Sequence, residues 1–419
     1  MEILSTGEKI KRARIYKGAT LKDICKDKVS VSKMSCIEND KIKPEKWIIE
    51  YVADKLELDV DYLMKDVEEQ IKANIDVLKD EKFNSDVEEK LQYNLEYALD
   101  YNYNDLSFEI MHILFNGYIE IGKFENIQII NSKYYDLCQK SKSDNNHLVY
   151  YKDMARYLYM NKEYMQASTY YNSVRKYIRE KNIEDYDMLS TVTYNEAACY
   201  MMLEDYERCY EVAVRLIDLL EHVNKDIKNA EIYHLLAILS LKMGKDNFEE
   251  YESKSYKYFK DDFGRKANAI LNYATAMFEI GDKEKATEYV KNGLNTYPKD
   301  NKQSLVEYML RCIEELTNNN ILDEAQFICD ETLNFAIDCD NIRYIERAYY
   351  FKSIILQKAG KYDQAEMYMN LSTDALFKYA NKQERYNRYI EMGDMYHKLE
   401  EVNESIKYFT LALGLQKKM

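Results

Sequence analysis

From about residue 108 onward this chain repeats itself roughly every 40 residues, and that period restricts it to a stack of like units. Segments aligned on their small residues start at 108, 148, 190, 230, 267, 306, 346 and 386, at intervals of 37 to 42 residues. A unit of that length with helical periodicity holds two helices and a turn, and it cannot bury its apolar face alone, so neighbours must stack. The clearest copy runs Ala267, Ala274, Gly281-Asp282, Ala286, Val290, Gly293 and Pro298. Others give Tyr151, Ala155, Tyr164, Ala167 and Tyr171; Tyr349, Gly360-Lys361-Tyr362 and Ala365; and Tyr389, Gly393, Tyr396, Ser405, Phe409 and Ala412. With two prolines and eleven glycines in 419 residues there is little to punctuate strands or long loops, so an all-α chain is expected.

This order of small, turn and terminating residues resembles the tetratricopeptide repeat. About eight such repeats over 108–419 are expected to wind a right-handed α-superhelix with a concave inner surface lined by the first helix of each pair. The interval exceeds the usual length of roughly 34 residues, which implies longer helices or connections. Inward positions project to Asn116, Arg156, Tyr159, Tyr194, Asn195, Asn268, Asn272, Arg311, Arg347, Tyr350 and Asn387. Asparagine carries a donor and an acceptor for an extended peptide backbone, and arginine can clamp a carboxylate. Asn195 and Asn272 are the pair that best suits this use. Most of the 41 tyrosines are expected in the core with their hydroxyls toward the surface. Residues 66–107 read either as the cap of the array or as a dimer-forming helical hairpin.

The first 65 residues have a different grammar, that of five short helices. Ile10, Ala13 and Arg14 mark the first helix, which Gly18 ends; Thr20 caps the second, with Leu21, Ile24 and Cys25. Ser30 caps a third that runs to about Glu38, with Val31, Met34 and Ile37 expected as its buried stripe. Pro44 is expected in the first turn of a fourth helix, and residues 60–63 make the fifth. Two helices joined by a short turn can present the second to a DNA major groove. Residues 1–47 hold 12 Lys and Arg against 7 Asp and Glu, so this local +5 leaves −20 to the rest of a chain of net charge −15. The DNA-facing groups expected are Arg14, Ser30, Ser32, Lys33, Ser35, Lys41 and Lys43, with Lys9, Lys11 and Arg12 adding to the basic face.

Gly7-x-x-Ile10-x-x-x-Arg14, Leu21-x-x-Ile24, Ser30-x-x-x-Met34-Ser35-x-Ile37-Glu38, Pro44 and Leu56-x-Leu58 together resemble the Xre-type helix-turn-helix of phage repressors. Leu21 and Val31 stand where that family often carries glutamine, so its usual glutamine contacts do not carry over.

The eight cysteines show no CxxC spacing, and buried free thiols in a reducing cytoplasm are expected. No signal-peptide stretch and no run of the ~18 apolar residues of a membrane span occurs. The motifs of zinc proteases, P-loops, dinucleotide sites and serine hydrolases are absent, the five histidines fall on unrelated repeats, and neither catalysis nor a cofactor is expected.

A helix-turn-helix head on such an array resembles the peptide-pheromone receptors of Gram-positive bacteria, the Rap, Rgg, NprR, PlcR and PrgX family. The resemblance implies a homodimeric, cytoplasmic transcription regulator for quorum sensing, which binds double-stranded DNA through the head and a short signalling peptide in the groove. The alternative it leaves open is an interaction protein that docks a response regulator or another protein partner, with DNA binding secondary.

Overall fold

The computed structural model describes residues 2–141, 143–223 and 225–417, and these are helical throughout, without a strand. Among the described residues no helix is long and apolar enough to cross a membrane. The chain divides into two units, residues 1–204 and 205–419.

The first unit opens with α1 (Thr6–Tyr16), α2 (Leu21–Cys25), α3 (Val31–Glu38), α4 (Lys46–Leu56) and α5 (Val60–Met64). Ser5, Thr20 and Ser30 cap α1, α2 and α3, each accepting from the backbone three residues on. Ile10, Ile24, Met34, Ile37, Ile48, Val52 and Leu56 close one small core. Gly7 is required there, because any Cβ on it would collide with the Ile37 carbonyl where α1 crosses α3. Two expectations for this region are corrected. Val31 is 39% exposed rather than buried, so the α3 stripe reduces to Met34 and Ile37. Pro44 lies before the N-cap Glu45 of α4 rather than within its first turn.

A hairpin of α6 (Val67–Leu78) and α7 (Ser85–Asp100) follows, then the helix pair α8 (Asn104–Glu120) and α9 (Phe124–Lys140), the pair α10 (Asp144–Met160) and α11 (Tyr164–Glu180), and α12 (Tyr186–Met202). The hairpin packs on the head through its polar groups. Leu4 N–H donates to Gln70 Oε1 (3.3 Å), Gln70 Nε2 donates back to the Leu4 carbonyl (2.9 Å), and Ile3 N–H donates to the Tyr93 hydroxyl (3.3 Å).

The second unit holds α13 (Tyr206–Val214), α14 (Asp226–Lys242), α15 (Phe248–Phe259), α16 (Phe263–Glu279), α17 (Lys283–Thr296), α18 (Lys302–Asn318), α19 (Leu322–Asp338), α20 (Ile342–Lys358), α21 (Tyr362–Leu376), α22 (Lys382–Lys398) and α23 (Val402–Gln416). Within each unit the helices stack as tetratricopeptide-type pairs, the first helix of one pair packing on the first helix of the next.

One local device makes the pairs. At the turns within these pairs a residue takes the left-handed conformation: Gly122, Lys162, Gly244, Gly281, Asn320, Gly360 and Glu400. The next amide then reaches back five residues, as in Lys123 N–H to the Tyr118 carbonyl (2.9 Å), Asp282 to Met277 (2.9 Å) and Lys361 to Leu356 (2.8 Å). This closes the orphan carbonyls of the first helix and sends the second back along it. Ala155, Ala274 and Ala348 are fully buried and allow close packing, and a Cβ on Gly393 would stand 2.7 Å from the Phe409 ring. Fully buried Tyr118, Tyr134, Tyr273 and Tyr308 fill the space between helices.

Candidate nucleic-acid and ligand surfaces

The outer face of α3 is polar and partly pre-engaged. Ser30 Oγ accepts from Lys33 N–H (3.1 Å), so its hydroxyl serves as the helix cap, while Ser32 is exposed. Lys33 Nζ donates to Glu45 Oε1 (2.8 Å) and stands 5.9 Å from the Trp47 ring centre; Trp47 Nε1 donates to Glu45 Oε2 (2.8 Å). These two donors, Lys33 first, hold the Glu45 carboxyl below the usual carboxylate range. Ser35 is half-buried and its carbonyl accepts from Asn39 Nδ2 (2.7 Å). Lys41 and Lys43 are exposed on the loop between α3 and α4. Ser32, Lys41 and Lys43 are thus exposed on and just after α3, with an anionic side chain lying on half-buried Lys33.

Three basic groups read as part of that face do other work. Arg14 donates through Nε and Nη2 to the two oxygens of Glu38 (2.6 and 2.7 Å), and through Nη1 to the Ala19 carbonyl (3.1 Å). Glu38 is only 3% exposed, so Arg14 is a structural partner inside the head. Lys9 is buried; its Nζ donates to the Tyr62 (2.8 Å) and Lys65 (2.5 Å) carbonyls at the end of α5, and burial lowers its pKa. Arg12 pairs with Glu2. The sequence does not show these roles, because charge alone marks surface and the partners are 10 to 56 residues away.

In the first unit, Asn116 on α8 and Arg156 on α10 meet each other: Arg156 Nη1 donates to Asn116 Oδ1 (2.8 Å), and Asn116 Nδ2 donates to the carbonyl of His112 (3.0 Å). His112 Nδ1 lies 2.6 Å from buried Asp153 Oδ2, which also accepts from the Tyr134 hydroxyl (2.8 Å). Beside this network, a cleft of about 340 Å³ separates the hairpin from α8, with Phe83, Val87, Glu109, His112 and Asn116 among its walls. Tyr159 is half-buried against Tyr164 (5.3 Å between ring centres); Tyr194 and Asn195 are half-buried, and Asn195 is hydrogen-bonded to Tyr171.

The second unit repeats the motif once. Arg311 Nη1 on α18 donates to Asn268 Oδ1 on α16 (2.6 Å), and Asn268 Nδ2 donates to the Gly264 carbonyl (2.8 Å). The Asn116 and Asn268 amides are therefore each engaged at both ends, by a neighbouring first helix and by their own. Asn272 is exposed and reaches His234 Nε2 (3.3 Å). His234 packs on Tyr273 (4.8 Å), its Nδ1 is buried without a hydrogen-bond partner, and burial pushes its pKa down to about 4. Arg347, Tyr350 and Asn387 line one cleft of about 250 Å³ between α20 and α22, together with Glu346, Tyr379 and Arg388. Asn195 and Asn272 belong to different units, each with its own local partners.

No family model matches the chain, and no curated protein does. Solved structures do. The apo form of the quorum sensor NprR from Bacillus thuringiensis aligns at 16% identity and a TM-score of 0.45, covering 84% of this chain and 100% of its own. Aspartyl phosphate phosphatase F from Bacillus subtilis aligns at 14% identity and a TM-score of 0.43, covering 99% and 96%. PlcR from Bacillus thuringiensis, solved in complex with a peptide and DNA, aligns at 16% identity and a TM-score of 0.35, covering 61% and 94%. These distant likenesses do not bear on what the present chain binds.

Proposed function

We propose that this protein is a cytoplasmic, homodimeric DNA-binding transcription regulator whose head reads a duplex through α3 and whose repeat helices take a short peptide, with no catalytic step. One observation carries the reading: exposed Ser32, Lys41 and Lys43 flank Lys33 on and beside a short capped helix, in a segment whose cationic excess contrasts with the net negative charge of the whole chain. Hydroxyls and lysines are groups that meet base edges and phosphates, and the strongly acidic remainder would keep DNA on the head. The hairpin supports a regulatory role, since it bonds to the head through Gln70 and Tyr93 and faces α8 across a cleft. For the peptide the support is the set of exposed or half-exposed amide, guanidinium and phenol groups on first helices.

The test is selection from a randomised duplex pool by the full chain and by a Ser32→Ala, Lys33→Ala, Ser35→Ala variant. Enrichment of a palindrome by the wild type alone is expected, reflecting a dimer on two half-sites. Equal enrichment by both proteins would remove α3 from the reading. No enrichment by either at low salt would favour the protein-docking alternative.

A further inference from the structure

The three array arginines singled out by sequence are not equivalent. Arg156 and Arg311 are each committed to an asparagine on the preceding first helix. Arg347 has no hydrogen bond or ion pair to another side chain among the described residues. It is exposed, and its guanidinium lies over the Phe351 ring (4.7 Å) and near the Tyr350 ring (5.4 Å). Stacking on an aromatic face restrains the planar fork while leaving its N–H donors at the edge open to a ligand.

The surroundings are rigid and already satisfied. Glu346, 2% exposed, accepts from Ser372 Oγ (2.8 Å), Tyr379 hydroxyl (3.0 Å) and Arg388 Nη2 (2.8 Å). Arg388, 5% exposed, is held by Glu346, Glu391 and Ser372. Glu391 also accepts from the Tyr350 hydroxyl (3.2 Å), and Glu384 accepts from the Asn381 backbone in a helix cap. Asn387 accepts from Gln383 through Oδ1 (3.0 Å), which turns its amide donor to other use. The acids of the cleft are therefore occupied by the protein, whereas the donors of Arg347 and Asn387 are not.

We infer that the α20–α22 cleft is a carboxylate-recognition subsite in which Arg347 forms a bidentate pair with the ligand and Asn387 adds a donor. This rests on the peptide reading above and specifies its chemistry: the bound peptide is anchored through a carboxylate, supplied by its C-terminus or by an acidic side chain. Two parallel N–H to O bonds from a pre-oriented fork give geometric selection for that planar group over a neutral amide.

The test exposes the full chain to three pools of N-acetylated random hexapeptides and quantifies what is retained by mass spectrometry. One pool lacks Asp and Glu and has free C-termini, the second is C-terminally amidated but contains Asp and Glu, and the third is amidated and lacks both acids. Retention of the first or the second pool is expected, identifying the source of the carboxylate, with the third retained at least tenfold less. R347A should reduce that retention about tenfold or more, the scale of a charge-assisted hydrogen bond, and R347K should fall between. An unchanged thermal midpoint in R347A shows that the loss is local. Retention of the third pool at the level of the others, or by R347A at the level of the wild type, overturns the subsite while leaving peptide binding intact. Retention of no pool overturns the peptide reading, and the subsite with it.

Discussion

Arg14 offers the sharpest test of how the head is built. Arg14→Met alone leaves the Glu38 carboxylate 3% exposed, without the two bonds of 2.6 and 2.7 Å that now compensate it. Removing one partner of a buried ion pair destabilises by about 3 to 5 kcal/mol; the lower end applies, because the Arg14 side chain keeps 15% exposure. A domain of this size has little reserve, so about 3 kcal/mol removes a large part of its stability. The assay is built into the chain, whose one tryptophan, Trp47, sits in the head beside Glu45. Fluorescence-detected denaturation therefore reports this segment against the background of a large helical array. The Arg14→Met, Glu38→Leu double variant should return to within about 1 kcal/mol of the wild type, because no unpaired charge remains. It should also keep DNA affinity. A single variant that loses less than about 1 kcal/mol refutes the structural role. A stable double variant that has lost DNA binding would show that Arg14 contacts DNA after all.

Other predictions address separate joints. His234 titrates near 6.5 when unfolded and at about 4 when folded, so the unfolded chain binds the extra proton between those values. The His234 contribution to stability should be constant above pH 6.5 and fall by about 3 kcal/mol as pH drops to 4, and His234→Phe should remove that part of the slope in a pH series of unfolding curves. Gly117→Ala places a methyl group inside the Phe83 ring where α8 meets the hairpin; a loss of about 1 to 3 kcal/mol is expected, and an unchanged midpoint would contradict the close approach. Lys162→Gly should stabilise by about 1 kcal/mol because its φ of 64° is unfavourable for a residue with a Cβ, and thermal unfolding checks it. Lys43→Ala should lower the slope of log affinity against log salt by about one, whereas Glu45→Gln should raise duplex affinity by freeing Lys33.

Much of the architecture is readable from the residues because the constraint is local. A small residue where two helices touch, and a glycine or asparagine where the chain must turn left-handed, recur at fixed places, and Gly122, Gly244, Gly281, Asn320 and Gly360 mark five of the turns directly. The turns at Lys162 and Glu400 carry no such signal and are recognisable only by their spacing from the others. The same locality explains Gly7, whose place in the motif follows from the Ile37 carbonyl above it. What the residues conceal is pairing over distance. Arg14 and Lys9 read as surface charge until Glu38 and the end of α5 are brought against them. Asn116 and Asn268 read as open amides until an arginine about one repeat later closes on each. Arg347 and Asn387 share a cleft although 40 residues separate them, because their helices are successive first helices.

In the proposed regulator, ligand binding on the array shifts duplex binding by the head. The measurement is a titration of an enriched duplex onto the full chain, followed through Trp47, with and without a saturating amount of the retained peptide pool. A displacement of the two isotherms of about tenfold, roughly 1.4 kcal/mol of coupling, is the predicted result, with the duplex shifting peptide affinity by the same factor. Superimposable isotherms would contradict the account.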